Sequence, residues 1–240
     1  GFEPLMPGIK QGKFNEISGL KNLITEKTAA VIVEPVQGEA GVISASTEFL
    51  RELRDLTCKK GTLLIIDEVQ SGVGRMGNIY GYMNYGIEPD IVTSAKGLGG
   101  GIPIGATLTT KVIGEVMQPG THGSTFGGNP IACAVANEVI NIISDKSFLK
   151  KVNEKEELFL DLLSELKEKG IFSDIRSSGL WIGCDLVDKN SNEVLNQAYA
   201  EGLILVSAGS NCLRLAPALN IEEKDIKEGV SLLKKVLLGN

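Results

Sequence analysis

The residues with the most chemistry to offer stand where two successive apolar runs end. LLIIDEVQSG sets Asp67, Glu68 and Gln70 directly after a run that reads as a buried strand, and open α/β sheets gather their ligands at the carboxyl ends of strands. Alone, an Asp-Glu pair there equally suits a magnesium ion, a capped turn or a solvated surface. DIVTSAKGLGGG ends the next apolar run on Lys96, followed at once by glycines. Desolvating an unpaired ammonium is costly, so a lysine carried into that place needs a reason. One reason is a covalent imine with a carbonyl group, which replaces the ammonium and makes the lysine a ready leaving group. The bland alternative is a lysine that snorkels to water from a strand end.

As a pair, Asp67 and Lys96 meet the needs of a pyridoxal ring. A carboxylate beside the pyridine nitrogen keeps it protonated and makes the ring an electron sink, and the lysine then accepts and returns a proton. Gln70 is spaced to reach the ring's phenolic oxygen, and Val69 to pack on its face. Gly97, Gly99, Gly100 and Gly101 let the backbone approach a cofactor or another chain, or simply form a flexible loop.

Other groups gather around this pair. EPVQGEAG offers Glu34, Gln37 and Glu39 at the same sheet edge, and LRLAP places Arg214 in an otherwise apolar strand. An arginine there binds a substrate carboxylate through two bonds or makes a structural ion pair. THGSTFGGNP collects hydroxyls and glycines ahead of a helix start, an arrangement that either grips a phosphate or is an ordinary turn. His122 and Ser124 lie within it, but the G-x-S-x-G turn of a hydrolase is absent. Gly72, Gly74 and Gly77 match G-x-G-x-x-G, which raises a nicotinamide dehydrogenase as an alternative. That reading is weak: Asp67 and Glu68 intrude before the glycines, no helix pattern opens at Arg75–Tyr80, and no acidic residue follows at the required spacing.

The elements that must position these groups follow from apolar patterning. Ala29–Val33, Leu63–Ile66 and Ile91–Thr93 read as short strands buried on both faces. Thr47–Lys60 reads as a helix with Phe49, Leu50, Leu53 and Leu56 on one side and Gly61 as its stop. Strand, helix and strand make a parallel βαβ unit. Asn129–Ile143 opens on Asn-Pro and reads as a buried helix, and Phe148–Lys169 as an amphipathic one with Leu158, Leu162, Leu163 and Leu166 inward. A domain change near Asp145 divides a large unit, residues 1–144, from a small C-terminal α+β unit, residues 145–240. The latter reads as strand Gly179–Leu186, helix Glu193–Gly202, strands Leu203–Val206 and Cys212–Ala216, and helix Glu222–Leu238.

Composition narrows the function classes. The chain has 240 residues, 42% of them hydrophobic, enough for a large core. Its net charge of -6 and lack of any basic, aromatic stripe argue against nucleic acid. Cys58, Cys133, Cys184 and Cys212 are scattered and His122 is the single histidine, so neither a zinc site nor a disulfide framework is indicated. No apolar run approaches the roughly 18 residues that cross a bilayer. A cytoplasmic, membrane-free protein is the expectation.

EPVQGEAG, IIDEVQSGVGRMG, GIEPDIVTSAKGLGGGIPIGA, HGSTFGGNP and LRLAPAL, in this order and spacing, resemble the class III aminotransferases, enzymes of pyridoxal-phosphate (PLP) fold type I. The resemblance extends along the whole chain, and the runs Gly120–Ala134 and AKGLGGGIPIGA are most similar to the acetylornithine aminotransferases of arginine biosynthesis. It implies an α/β fold in which part of a large domain, with a mostly parallel sheet, is followed by a small α+β domain. It implies that Lys96 forms the Schiff base and Asp67 pairs with the pyridine nitrogen, with Glu68, Val69 and Gln70 also at the cofactor. Thr125 would bind the cofactor phosphate of the neighbouring subunit of a homodimer, and Ser124 would lie near the substrate. Glu39 and Arg214 resemble a pair that closes when the site is empty and separates to admit the substrate's second carboxylate. The implied reaction moves the δ-amino group of N-acetylornithine to 2-oxoglutarate, giving N-acetylglutamate semialdehyde and glutamate.

The departures bear on activity. The family's Gly-Thr phosphate loop, ring-stacking aromatic residue and arginine for the α-carboxylate have no counterpart here and belong ahead of Gly1, so the chain reads as roughly the last three-fifths of such an enzyme. Ala40 stands where glycine is more usual. Ornithine, succinyl-diaminopimelate and 4-aminobutyrate enzymes share the cofactor residues and remain alternatives, as does an inactive piece that lacks part of the site.

Overall fold

A computed structural model describes residues 3–239. The first half runs through α1 (Ile17–Leu23), β1 (Ala30–Val33), a ribbon of β2 (Val36–Gln37) and β3 (Ile43–Ser44), α2 (Thr47–Lys60), β4 (Leu63–Asp67), β5 (Ile91–Ser94), β6 (Ala106–Thr109) and α3 (Lys111–Gly114). Helices α4 (Pro130–Ile143) and α5 (Lys146–Glu168) lead to β7 (Phe172–Ser177), β8 (Ile182–Leu186), α6 (Ser191–Ala200), β9 (Val206–Ala208), β10 (Cys212–Leu215) and α7 (Glu223–Leu238).

The fold is mixed α/β. One sheet has the order β1-β4-β5-β6, with the first three strands parallel and β6 antiparallel to β5. Helix α2 makes the β1 to β4 crossover. Ser46 caps it by accepting a 3.0 Å hydrogen bond from the Phe49 amide, and Gly61 ends it in the left-handed conformation. Its Phe49, Leu50 and Leu53 pack with Leu64 and Ile66 of β4 in one core. The second sheet, β7-β8-β10-β9, is antiparallel throughout and shares a core with α5, α6 and α7 centred on Phe172, Ile182, Leu213 and Leu233.

Several expectations are corrected. Strand β1 is not buried on both faces: Ile32 is 63% exposed, because β1 is the sheet's edge and α2 covers one side only. Helix α4 buries Ala132, Ala136 and Ile143 but leaves Ile131 72% exposed, so it is amphipathic in its packing although apolar in sequence. Helix α5 begins at Lys146, ahead of Phe148, since Asp145 caps it through a 2.8 Å bond from the Ser147 amide; Phe159 joins its inward face. Strand β7 escapes hydrophobic patterning: FSDIRS fully buries only Phe172, and its polar side chains are held by ion pairs. Strand β8 starts at Ile182 rather than Gly179 because residues 178–181 turn, and β9 starts at Val206 rather than Leu203.

Candidate functional site

Strands β4 and β5 run parallel with Asp67 opposite Thr93, so Asp67 and the segment leaving β5 emerge at the same sheet edge. Oδ1 of Asp67 accepts hydrogen bonds from the Val69 amide at 3.0 Å and the Thr93 hydroxyl at 3.1 Å, which fixes the carboxylate's plane. Oδ2 receives none among the described residues. Lys96 opens a short 3-10 turn, Lys96–Gly99, with φ at +46°. A left-handed lysine is uncommon and holds roughly 1–3 kcal/mol of strain unless its surroundings demand it.

The expected desolvation of Lys96 is not found. The side chain is exposed, because it stands beyond β5 on the turn, at the mouth of an open cleft. That cleft holds about 740 Å³ and is walled by Val69, Gln70, Lys96, Gly97, Trp181 and Arg214, among others. Asp67 lies half-buried at the strand end and does not itself line it. Charge connects the group: burial, followed by the nearby Asp67 carboxylate, raises the pKa of Glu34 above the ordinary carboxylate range, and the Lys96 ammonium partly offsets this.

Glu39 and Arg214 meet from opposite ends of the chain. Glu39 tips the β2–β3 turn, Arg214 sits in β10 between Gly183 and Val206, and Oε1 of Glu39 accepts a 2.8 Å bond from Nη1 of Arg214. Arg214 is 13% exposed and Glu39 74%. The Arg214 bond, with smaller help from Lys96 and Gln70, holds the Glu39 carboxyl below its usual pKa. An ion pair with one partner so exposed contributes only about 0–1 kcal/mol. A second carboxylate can therefore replace Glu39 at little cost.

Other candidates lie elsewhere. Glu68 is fully buried and faces away from the cleft: its Oε2 accepts from the Ser71 hydroxyl and its Oε1 from the Tyr82 amide, both at 2.6 Å. Ser124 and Thr125 sit on an exposed stretch ahead of α4, capped by Asn129, and do not line the cleft. Gly72, Gly74 and Gly77 lie in successive turns with no helix opening. A Cβ on Gly72 would stand 2.7 Å from the Glu68 carbonyl, and one on Gly77 would strike Asn153 of α5. Close packing at Gly72 and the positive φ of Gly74 (+86°) and Gly77 (+75°) account for those glycines.

Two cleft residues carried no usable sequence signal. Arg75, alone among glycines in SGVGRMG, donates Nη1 to the carbonyls of Leu180 and Pro217, each at 2.7 Å, and burial pushes its guanidinium down to about 10. Trp181, the single tryptophan, is 3% exposed and packs into the core of the β1-β4-β5-β6 half although it belongs to the segment entering β8. A Cβ on Gly38 would collide with its indole, which is why this bend is glycine.

Comparison with known proteins places this geometry. Residues 8–237 match the family pattern described as Aminotransferase class-III. The chain is 50% identical over 242 residues to a protein named succinylornithine transaminase from Photorhabdus laumondii, covering 99% of this chain and 60% of the relative. An acetylornithine/succinyldiaminopimelate aminotransferase of Buchnera aphidicola is 46% identical over 233 residues, covering 95% and 58%. Among solved structures, the N-acetylornithine aminotransferase of Stenotrophomonas maltophilia superposes with a TM-score of 0.90 at 32% identity, covering 98% of this chain and 63% of that one. The ornithine aminotransferase of Toxoplasma gondii superposes at 0.92 and 31%, covering 99% and 58%. The chain spans about 60% of the length of the curated relatives it matches.

Proposed function

Because the chain belongs to the class III aminotransferases, PLP-dependent enzymes of fold type I, we propose that it carries the lysine, the ring-nitrogen carboxylate and the dicarboxylate-binding arginine of a transaminase acting on an N-acylated ornithine. The single observation that carries this reading is the placing of Asp67 and Lys96 on adjoining parallel strand ends beside the cleft that Arg214 enters.

The donor set fits the cofactor. Asp67 has one oxygen fixed and one unengaged among the described residues, as a protonated ring nitrogen requires. Lys96 is a primary amine at the cleft wall, and Gly97, Gly100 and Gly101 keep that wall low. When bound, PLP supplies the electron sink that lets an amino group leave one substrate and join another. Of this chain's residues, Asp67 would keep the ring nitrogen protonated, Val69 would pack against the ring and Gln70 would donate to its phenolic oxygen. Lys96 would hold the cofactor through its amine and, when free, would move a proton to and from the substrate carbon. Glu68, locked to Ser71 and Tyr82, acts on the cofactor indirectly by fixing the turn that bears Val69 and Gln70.

Substrate choice rests with Glu39 and Arg214. With the amino donor present they stay paired; with 2-oxoglutarate or glutamate, Glu39 swings away and Arg214 takes the second carboxylate through two bonds. N-acetylornithine is the donor we favour. N-succinylornithine is the second reading, supported by the naming of the 50% identical relative. With N-acetylornithine the reaction belongs to arginine biosynthesis in the cytoplasm, and no helix among the described residues is long and apolar enough to cross a membrane.

We assign residues 1–144 to the large domain and 145–240 to the small one. A homodimer completes the site, with Ser124 near the substrate and Thr125 reaching the neighbouring cofactor's phosphate. The exposed apolar side chains of Val112, Val116, Met117, Phe126 and Ile131, which flank Ser124 and Thr125 in sequence, favour a partner on this stretch. The test is borohydride reduction after adding PLP, followed by peptide mass mapping. The cofactor mass is expected on the peptide holding Lys96; equal labelling of a Lys96→Ala chain would sink the assignment. Transamination assays with each acylated ornithine then rank the donors.

A further inference from the structure

The Glu39 turn is held by an arginine that never reaches the cleft. Arg176 of β7 donates Nε at 3.1 Å and Nη2 at 2.8 Å to the single carbonyl of Gly41. Its remaining donors grip Asp185 through two bonds, 2.6 and 2.7 Å, and Asp174 at 2.9 Å. The guanidinium thus has one face on the small sheet and one on the turn two residues beyond Glu39. The turn needs holding: Gly41 and Val42 both have positive φ, +112° and +59°, and a β-branched residue rarely tolerates that. Gly183 packs beneath, with room for no Cβ against the Gly41 carbonyl, and the Gly209 amide donates to the Glu39 carbonyl at 2.8 Å. Meanwhile the Glu39 side chain is 74% exposed and tied mainly to Arg214.

We propose that Arg176 is a positioning residue for dual-substrate recognition: it pins the backbone of the Glu39 turn to the small sheet, so that Glu39 leaves Arg214 by side-chain rotation about a fixed pivot. This rests on the proposed exchange of Glu39 for a substrate carboxylate. A fixed pivot returns Glu39 to the same place after each dicarboxylate departs. A loose turn would let it wander, weakening its competition for Arg214.

The test is hydrogen exchange on the chain, read at the amides of Gly41, Val42 and Gly209, with calorimetric titration of glutarate as the dicarboxylate probe. Arg176→Lys keeps a cation against Asp185 but cannot span carboxylate and carbonyl together; these amides are expected to exchange about tenfold faster. Asp185→Asn, which frees the other end of the clamp, should do the same and serves if Arg176→Lys does not fold. Glu39→Gln alters the arm and not the pivot, so exchange should stay at the parent rate. Unchanged exchange in both clamp variants, or equal acceleration in Glu39→Gln, overturns the proposal. Glutarate binding should tighten in Arg176→Lys and in Glu39→Gln, while the double variant should match Glu39→Gln alone. A separate effect of Arg176→Lys in the Glu39→Gln background would show that it does not act through Glu39. If glutarate affinity ignores both Glu39 and Arg214, the reading of those two residues fails, and the exchange data still decide on Arg176.

Discussion

Arg75 and Leu180 hold each other twice: the Arg75 guanidinium donates to the Leu180 carbonyl at 2.7 Å, and the Leu180 amide donates to the Arg75 carbonyl at 3.0 Å. With the Pro217 carbonyl on the same Nη1, this joins the turn after β4 to the segment entering β8 and the segment leaving β10, at one end of the small sheet. Arg75→Met keeps bulk but strands two carbonyls, each costing about 1–3 kcal/mol when unmet. Allowing for the shared donor, urea unfolding should show a loss of about 2–4 kcal/mol. An unchanged midpoint would mean that the seam does not depend on this arginine.

Glu39→Ala should barely change stability, by less than about 1 kcal/mol, because the lost partner is exposed. Arg214→Ala should weaken glutarate binding by at least about tenfold, the scale of one lost charge-assisted pair. The pH sign follows from the lowered Glu39 pKa. Its small contribution is complete above the ordinary value of 4.5 and fades as pH falls through the lower folded value. A pair that persisted well below that range would contradict the assignment of its proton.

Glu68 runs the other way. Burial raises its pKa above 4.5, so the folded state holds the proton longer than the unfolded one, and stability declines as pH climbs from that value through the higher folded one. Glu68→Gln should flatten that part of the profile. Glu68→Ala should cost about 2–3 kcal/mol, since the Ser71 hydroxyl and Tyr82 amide lose their acceptor. Thermal melts across a pH series check both; a parallel profile in the Gln variant would place the titration elsewhere.

Gly179 has φ at +62°, and a Cβ there would meet the Met76 Cα at 2.7 Å as well as the Arg75 carbonyl. Backbone cannot swing aside as a side chain can. Gly179→Ala should therefore cost about 2–5 kcal/mol, adding left-handed strain to overpacking. Gly239→Ala, with similar φ and nothing near its Cβ, isolates the strain alone and should cost about 1–2 kcal/mol. Comparable losses at the two positions would remove packing from the explanation.

Much of this architecture was legible because single rules governed it. Helix α2 is legible to its end residues from its apolar side and the Gly61 stop, and the Ser46 cap seen in the structure agrees. Asp67 and Lys96 stood out because strand ends collect polar groups in α/β sheets. What escaped was set by contacts distant in sequence: β7 lives on Arg176 and its carboxylates, and Trp181 and Arg75 gain their surroundings from segments some hundred residues away. Lys96 departs from its expected desolvation for a related reason: it adjoins an apolar run in sequence, whereas in space the chain turns outward there.

One consequence of the seam is optical. Because Trp181 is the chain's single tryptophan, is sealed at 3% exposure and still forms part of the cleft wall, all indole emission comes from one known point. A chromophore seated in the cleft would quench that light by energy transfer. Parting of the halves would instead shift it toward the red as water reached the ring. Occupancy and opening thus write separable signatures into one spectrum, with no label added to the protein.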